Sequence, residues 1–104
     1  MISDIYAKLK TVGVPVAYRA FKKPQYPPFI VYYQENETQD GYDGKNVIGN
    51  GVVIIELYTD KKDLSMESAM DKLFQEYPIQ KYETYIDSEK LYQIMYQIGY
   101  TEKI

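Results

Sequence analysis

Histidine, cysteine and tryptophan are absent from the 104 residues, and Arg19 is the single arginine. Without imidazole or thiol, proton shuttling near neutrality, soft-metal ligation and thiolate attack lose the side chains suited to them. No disulfide framework is possible, which fits a reducing compartment. Long hydrophobic runs are also missing. The longest wholly aliphatic stretch, Val52–Ile55, falls far short of the roughly 20 residues of a membrane helix. Met1-Ile2-Ser3-Asp4 lacks the basic start of a secretory signal. The expectation is a soluble chain made in a cytoplasm, with no membrane association.

Nucleotide and nucleophile signatures are lacking as well. Gly41-Tyr42-Asp43-Gly44-Lys45 is too short for a phosphate-binding loop, and its acidic residue would repel phosphate. No G-x-S-x-G elbow occurs, and without histidine no serine triad of the usual kind can form. Paired carboxylates are the remaining acid/base machinery: Asp40 with Asp43, and Asp60 with Asp63 around Lys61-Lys62. Asp40, Asp43 and Asn46 faintly resemble an oxygen-ligand calcium loop, but the D-x-D-x-D-G spacing and the distal glutamate are missing. No enzyme, metal or cofactor is expected.

What the chain has in excess is tyrosine, 13 residues. Tyrosine combines a large apolar ring with a polar tip at low conformational cost, and suits strands and contact surfaces. Hydrophobic residues make up 45% and charged residues 26%, ordinary globular values that argue against disorder. The length predicts one domain, 1–104, able to bury roughly two-thirds of its unfolded surface. The net charge of −3 is unevenly spread: residues 1–34 carry +4 and residues 35–104 carry −7. Opposed halves could help copies meet head to tail; a solvated surface without electrostatic design is the plainer reading.

Ser3 as N-cap, Asp4 in the first turn, and Ile2, Ile5, Tyr6 and Leu9 at helical spacing predict a short helix over about Asp4–Thr11, ended by Gly13. Val14–Tyr18 reads as a first strand. Lys22–Pro28 holds three prolines and can continue neither helix nor ladder. Phe29–Tyr33 is apolar on both alternating faces, a strand with both sides at least partly covered. Glu37–Asn50 contains Gly41, Gly44 and Gly49 among Asp and Asn residues, the marks of a long loop or hairpin tip and the best candidate contact loop.

Gly51–Asp60 is a strand with Val53, Ile55 and Leu57 on one face and Val52, Ile54, Glu56 and Tyr58 on the other, hence central in its sheet. A second helix, capped by Asp63 or Ser65, runs to about Tyr77, with Met66, Ala69, Met70, Leu73, Phe74 and Tyr77 as its apolar stripe. Ile79–Asp87 alternates weakly, and Asp87-Ser88-Glu89 turns the chain. Leu91–Tyr100 alternates over ten residues, which favours a strand over a helix. The order α-β-β-β-α-β-β predicts an α+β domain: a mostly antiparallel sheet of four to five strands with two helices packed on it.

A tyrosine-rich sheet can stack bases. However, an RNA-recognition domain starts with a strand and carries a basic aromatic strand, whereas this chain starts with a helix and Leu91–Tyr100 has no base. A sequence pI near 4.9 leaves little counterion release.

Three blocks carry a resemblance. Pro27-Pro28-Phe29-Ile30-Val31-Tyr32 follows a short helix and a Gly-Val-Pro-Val-Ala-Tyr strand. Val53-Ile54-Ile55-Glu56-Leu57-Tyr58-Thr59 precedes an acidic helix, and Tyr85–Tyr96 closes the chain. Over nearly the whole length this arrangement resembles the small neck proteins of long-tailed phages and prophages, particularly the tail terminator (tail completion) family; head-closure and minor capsid proteins are similar in size. The resemblance implies a non-enzymatic α+β subunit of a hexameric ring. That ring caps the tail tube protein, offers a surface to head-side connector proteins and lets DNA pass non-specifically through its lumen. It places the protein in the virion neck and, during assembly, in the host cytoplasm. Candidate contact residues are Asp40, Tyr42, Asp43 and Lys45, then exposed members of Tyr92, Tyr96 and Tyr100; ordinary sheet packing is the competing role for those tyrosines. A head-side connector, or a small acidic inhibitor of a host enzyme, are the alternative functions.

Overall fold

Strands form where β-branched and aromatic residues run together, and the longest such run lies at the middle of the sheet. The computed structural model describes residues 2–42 and 45–103. Its elements are α1 (Ile2–Lys10), β1 (Val16–Tyr18), β2 (Phe29–Tyr42), β3 (Lys45–Thr59), α2 (Leu64–Leu73), β4 (Ile79–Ile86) and β5 (Leu91–Lys103). One five-stranded sheet runs in the order β1-β2-β3-β5-β4. β1 joins β2 in parallel, and the other neighbours are antiparallel. The expected α+β class, element order and central strand are those observed.

Both helices lie on one face of this sheet. Ile5 and Leu9 of α1 and Met70 and Phe74 of α2 close over Ile30, Val53, Ile55, Leu57, Ile94 and Ile98. The face follows from register: Leu57 sits opposite Ile30 on one side and Ile94 on the other, and Ile55 opposite Tyr32 and Tyr96. Gly13 adopts φ +92° after α1, a left-handed conformation that glycine takes at little cost. Asp63 caps α2, its Oδ1 accepting from the Met66 N–H at 3.0 Å.

The helix ends differ from expectation. Ser3 lies inside α1, not ahead of it. α2 stops at Leu73, because Phe74 leaves helical geometry and Tyr77 N–H bonds back to the Phe74 carbonyl at 3.0 Å, turning the chain towards β4. Of the two readings of 37–50, a long loop or a hairpin tip, the described residues form the hairpin, or arm, with strand to Tyr42 and again from Lys45. β2 and β3 stay paired through Thr38–Asn50, Gln39–Gly49 and Tyr42–Lys45, with irregularities at Gln34/Asn36 and Asp40/Gly41. Asp43 and Gly44, between Tyr42 and Lys45, lie outside the described residues. The principal extents of the molecule are 52 × 28 × 24 Å.

The stripe of α2 also differs from expectation. Ala69 is exposed, whereas Glu67 is buried, only 4% exposed. Its carboxylate meets Lys62 Nζ at 2.6 Å and Lys81 Nζ at 3.0 Å; Lys62 also reaches Glu83, and Lys81 reaches Asp71 at 3.5 Å. The network ties α2 to β4. Burial alone would raise the Glu67 pKa, but the two ammoniums together hold it below the usual glutamate range.

Folded Glu67 therefore keeps its charge to lower pH than in the unfolded chain. Its contribution is complete above the unfolded value of about 4.3 and is lost as pH falls through the lower folded value. Urea unfolding should show wild-type stability dropping on acidification below about pH 4.5, with a shallower drop in Glu67→Gln. Glu67→Ala should cost about 1–3 kcal/mol, less than a fully buried pair because both lysines remain hydrated.

Gly51 supplies a second test. A Cβ there would lie 2.6 Å from the Tyr100 hydroxyl oxygen and 2.8 Å from Gln34 Nε2. Tyr100 Oη donates to Gln34 Oε1 at 3.1 Å across the sheet, so Gly51→Ala must displace that pair. A loss of about 1–3 kcal/mol by chemical denaturation is expected, while Gly99→Ala, whose Cβ meets nothing within 4 Å, should cost clearly less.

Candidate functional site

The period of two that sends Val53, Ile55 and Leu57 into the core sends their neighbours to the opposite face. That face carries Phe29, Val31 and Tyr33 of β2, Val52, Ile54, Glu56 and Tyr58 of β3, and Gln93, Met95 and Gln97 of β5. Neither helix covers it. Val31 and Ile54 are nonetheless buried, and most of the remainder is half-buried.

Glu56 lies at the centre of this face. Tyr58 donates its hydroxyl to Glu56 Oε1 at 2.9 Å, Tyr33 approaches Oε2 at 3.5 Å, and Gln93 Nε2 donates to the Tyr58 hydroxyl at 2.8 Å. Register explains the cluster: Tyr58 lies opposite Gln93, and Tyr33 opposite Ile54, one step from Glu56. The Arg19 guanidinium sits 5.0 Å from the Tyr33 ring centroid, within cation–π reach. Burial pushes the Tyr58 hydroxyl up to about 12; the Gln93 bond opposes the rise and the Glu56 carboxylate adds to it.

Beside this cluster the segment after β1 folds across one end of the open face. Arg19 takes φ +68°, a left-handed conformation uncommon outside glycine, and turns the chain out of β1. Phe21 then meets Phe29 edge-on at 5.6 Å, and Phe29 stacks on Tyr58 at 4.9 Å. The result is an open groove of about 560 Å³ between residues 19–25 and the sheet, floored by Val31, Glu56 and Tyr58 and closed at the far side by Leu91 and Glu89. Aromatic walls beside an arginine share the residue types enriched at contact surfaces, whereas Lys22 and Lys23 at the rim are the type depleted there.

The expected contact residues divide into three sets. Asp40 pairs in the ladder with Ile48, and Tyr42 with Lys45, at the outer end of the arm; Asp43 lies outside the described residues. Tyr92 is half-buried, its ring 4.9 Å from Tyr85. Tyr96 and Tyr100 are corrected: they are 1% and 6% exposed and belong to the core. α2 lies over their face, and Lys81 Nζ stands 5.6 Å from the Tyr96 ring. Burial first, then the Asp71 and Glu67 carboxylates, drive the Tyr96 hydroxyl well above the usual tyrosine range.

Residues the sequence reading passed over are Arg19, Phe21, Lys22, Lys23, Phe29 and Tyr33. The signal was there: a basic, aromatic, proline-broken stretch directly before a strand apolar on both faces. Of the paired carboxylates, Asp63 serves as the α2 cap and Asp60 is exposed. Among the described residues no three histidine, cysteine, aspartate or glutamate side chains converge as a metal group, and no helix is long and apolar enough to cross a membrane.

Comparison with known proteins adds nothing to this geometry. No family model matches the chain, and no curated protein matches it.

Tyr58 offers a direct measurement. Because folding holds its proton, its contribution is fully present below the unfolded value of about 10 and is lost as pH rises towards the folded one. Ultraviolet titration of native protein should show a phenolate step near 12 that Tyr58→Phe removes. The substitution should cost about 1 kcal/mol at neutral pH.

Proposed function

We propose that the chain is a non-enzymatic assembly subunit of a long-tailed phage neck: a tail terminator that forms a ring on the tail tube and presents a joining surface to the head-side connector. The observation that carries this reading is a sheet left open for contact. One face has no helix on it, β1 pairs with only Ile30, Val31 and Tyr32 of β2, and the β2–β3 ladder continues beyond Ile48, where β5 pairing ends. Cationic and aromatic residues line the groove beneath residues 19–25.

The three sequence blocks that resemble tail terminators support the same reading. All three fall on the sheet: the first on β2, the second on β3, and the third on β4 and β5. Opposed charge between residues 1–34 and 35–104 favours a head-to-tail contact, the kind that closes into rings. A hexamer, its place in the virion neck and DNA passing non-specifically through the lumen follow from the family resemblance. The acidic balance suits such a lumen, since it weakens adhesion to phosphates.

Purified protein should give ring particles by negative-stain microscopy and a concentration-dependent mass by analytical ultracentrifugation. Mixed with the tail tube protein, it should cap tubes and fix their length. A monomer at every concentration, without effect on tube length, would sink the proposal. Binding to the portal-side connector but not to the tube would reassign it to head closure, and a stable monomer held by a host enzyme would make it an inhibitor.

A further inference from the structure

We infer that the groove beneath residues 19–25 binds a nucleoside monophosphate whose base carries an amino group, free or at the end of an unpaired strand. Such a site goes beyond the ring reading above and does not depend on it.

A strained turn makes the groove. Arg19, at φ +68°, is the middle residue of a three-residue turn, closed by the Ala20 N–H bonding the Tyr18 carbonyl at 2.8 Å. A γ-turn with positive φ is rare and strained, and strain of this kind clusters at ligand clamps, where the surrounding structure holds it. Here the Arg19 N–H bonds the Tyr32 carbonyl at 2.8 Å, which anchors the turn to β2. The chain then leaves β1 and crosses one end of the open face. The space below it, about 560 Å³, is of the size of small-molecule sites.

Charges of both signs line this space without meeting. Arg19, Lys22 and Lys23 line one side and Glu56 the floor, yet none of the four makes an ion pair among the described residues. Arg19 lies over the Tyr33 ring instead. Glu56 accepts from Tyr58 at 2.9 Å and more distantly from Tyr33 at 3.5 Å. A carboxylate offers about four acceptor sites, so Glu56 can still accept from a ligand N–H. Counting Glu89, the lining has three cations against two carboxylates. That balance suits a ligand with N–H donors at one end and a single anionic group at the other, and it does not suit a bare polyanion.

The walls between these charges are rings: Phe21, Phe29 and Tyr58. Aromatic side chains hold a nucleobase by stacking. A carboxylate accepts from the amino group of cytosine, and adenine presents an amino group as well, whereas thymine and uracil present a carbonyl there. Lysine and arginine at the rim suit the phosphate. A base against the rings, its amino edge on Glu56 and its phosphate on the cations, satisfies every group left unpaired.

Calorimetric titration with AMP, CMP, UMP, adenosine and phosphocholine tests this. AMP and CMP should bind at least about ten-fold more tightly than the other three. Lys22→Ala/Lys23→Ala alters exposed side chains; it should stay folded by circular dichroism, weaken AMP at least about ten-fold and flatten its salt dependence. Phe21→Ala should weaken AMP and CMP alike. Glu56→Gln should bring AMP and UMP within about two-fold of each other while phosphate recognition persists. A single-stranded oligoadenylate that binds more tightly than AMP identifies a strand end as the source, and equal affinity identifies the free nucleotide; both support the site. Absence of saturable AMP binding at millimolar concentration overturns the inference, as does equal affinity for AMP and UMP or for AMP and phosphocholine. Duplex DNA binding more tightly than any of these makes the groove a backbone contact and overturns it too. None of these outcomes depends on self-association, so this site and the ring reading fail separately.

Discussion

The pairing of β3 on both sides constrains everything else in this molecule. β2 and β5 hold it in register from the arm to Thr59. A side-chain period of two means that a slip of one residue would exchange the two faces. Val53, Ile55 and Leu57 would leave the helices, and Glu56 and Tyr58 would enter the core. The cost of burying an unpaired carboxylate alone forbids it. The same register sets Tyr58 against Gln93 and Tyr100 against Gly51, so the hydroxyls of Tyr58 and Tyr100 reach Gln93 and Gln34 only when the core is correctly filled. Tyrosine here secures packing and register together.

The elements whose cause is local were legible before the structure. Helical spacing marked α1 and α2, two-sided apolar runs marked β2 and β3, and alternation marked β5 as strand although Leu91, Ile94, Met95 and Ile98 also fit a helix. The arm was not legible as strand, because Gly41, Gly49 and the Asn and Asp residues disfavour strands individually. Cross-strand hydrogen bonds override that preference, and at the base β5 adds a third strand as far as Ile48–Lys103.

At the site the obstacle was different. Alternation put Tyr92, Tyr96 and Tyr100 on one face, but whether that face is the core depends on where α2 lands, a non-local fact. Glu67 hid in the same way: its partners Lys62 and Lys81 come from a loop and from β4, and no helical pattern predicts a buried acid. Glu56 and Tyr58 were correctly placed together on one face of β3. Their partners Tyr33 and Gln93 belong to two other strands, so the cluster exists only once the sheet is assembled.

An open sheet face carries a risk, since exposed apolar surface and free strand edges invite unwanted association. This chain limits it without closing the face. Val31 and Ile54 are buried beside half-buried neighbours that end in hydroxyl, amide or carboxylate groups, leaving a surface wet enough for a monomer and flat enough for a partner. β4, the edge on one side, alternates Lys81 and Glu83 with tyrosines, a charge pattern that resists casual pairing. The outer edge of β2 is lined by Glu35, Glu37 and Asp40, so two copies meeting edge to edge there would repel. Like edges are thereby disfavoured, a form of selection against one wrong partner that needs no added contact elsewhere.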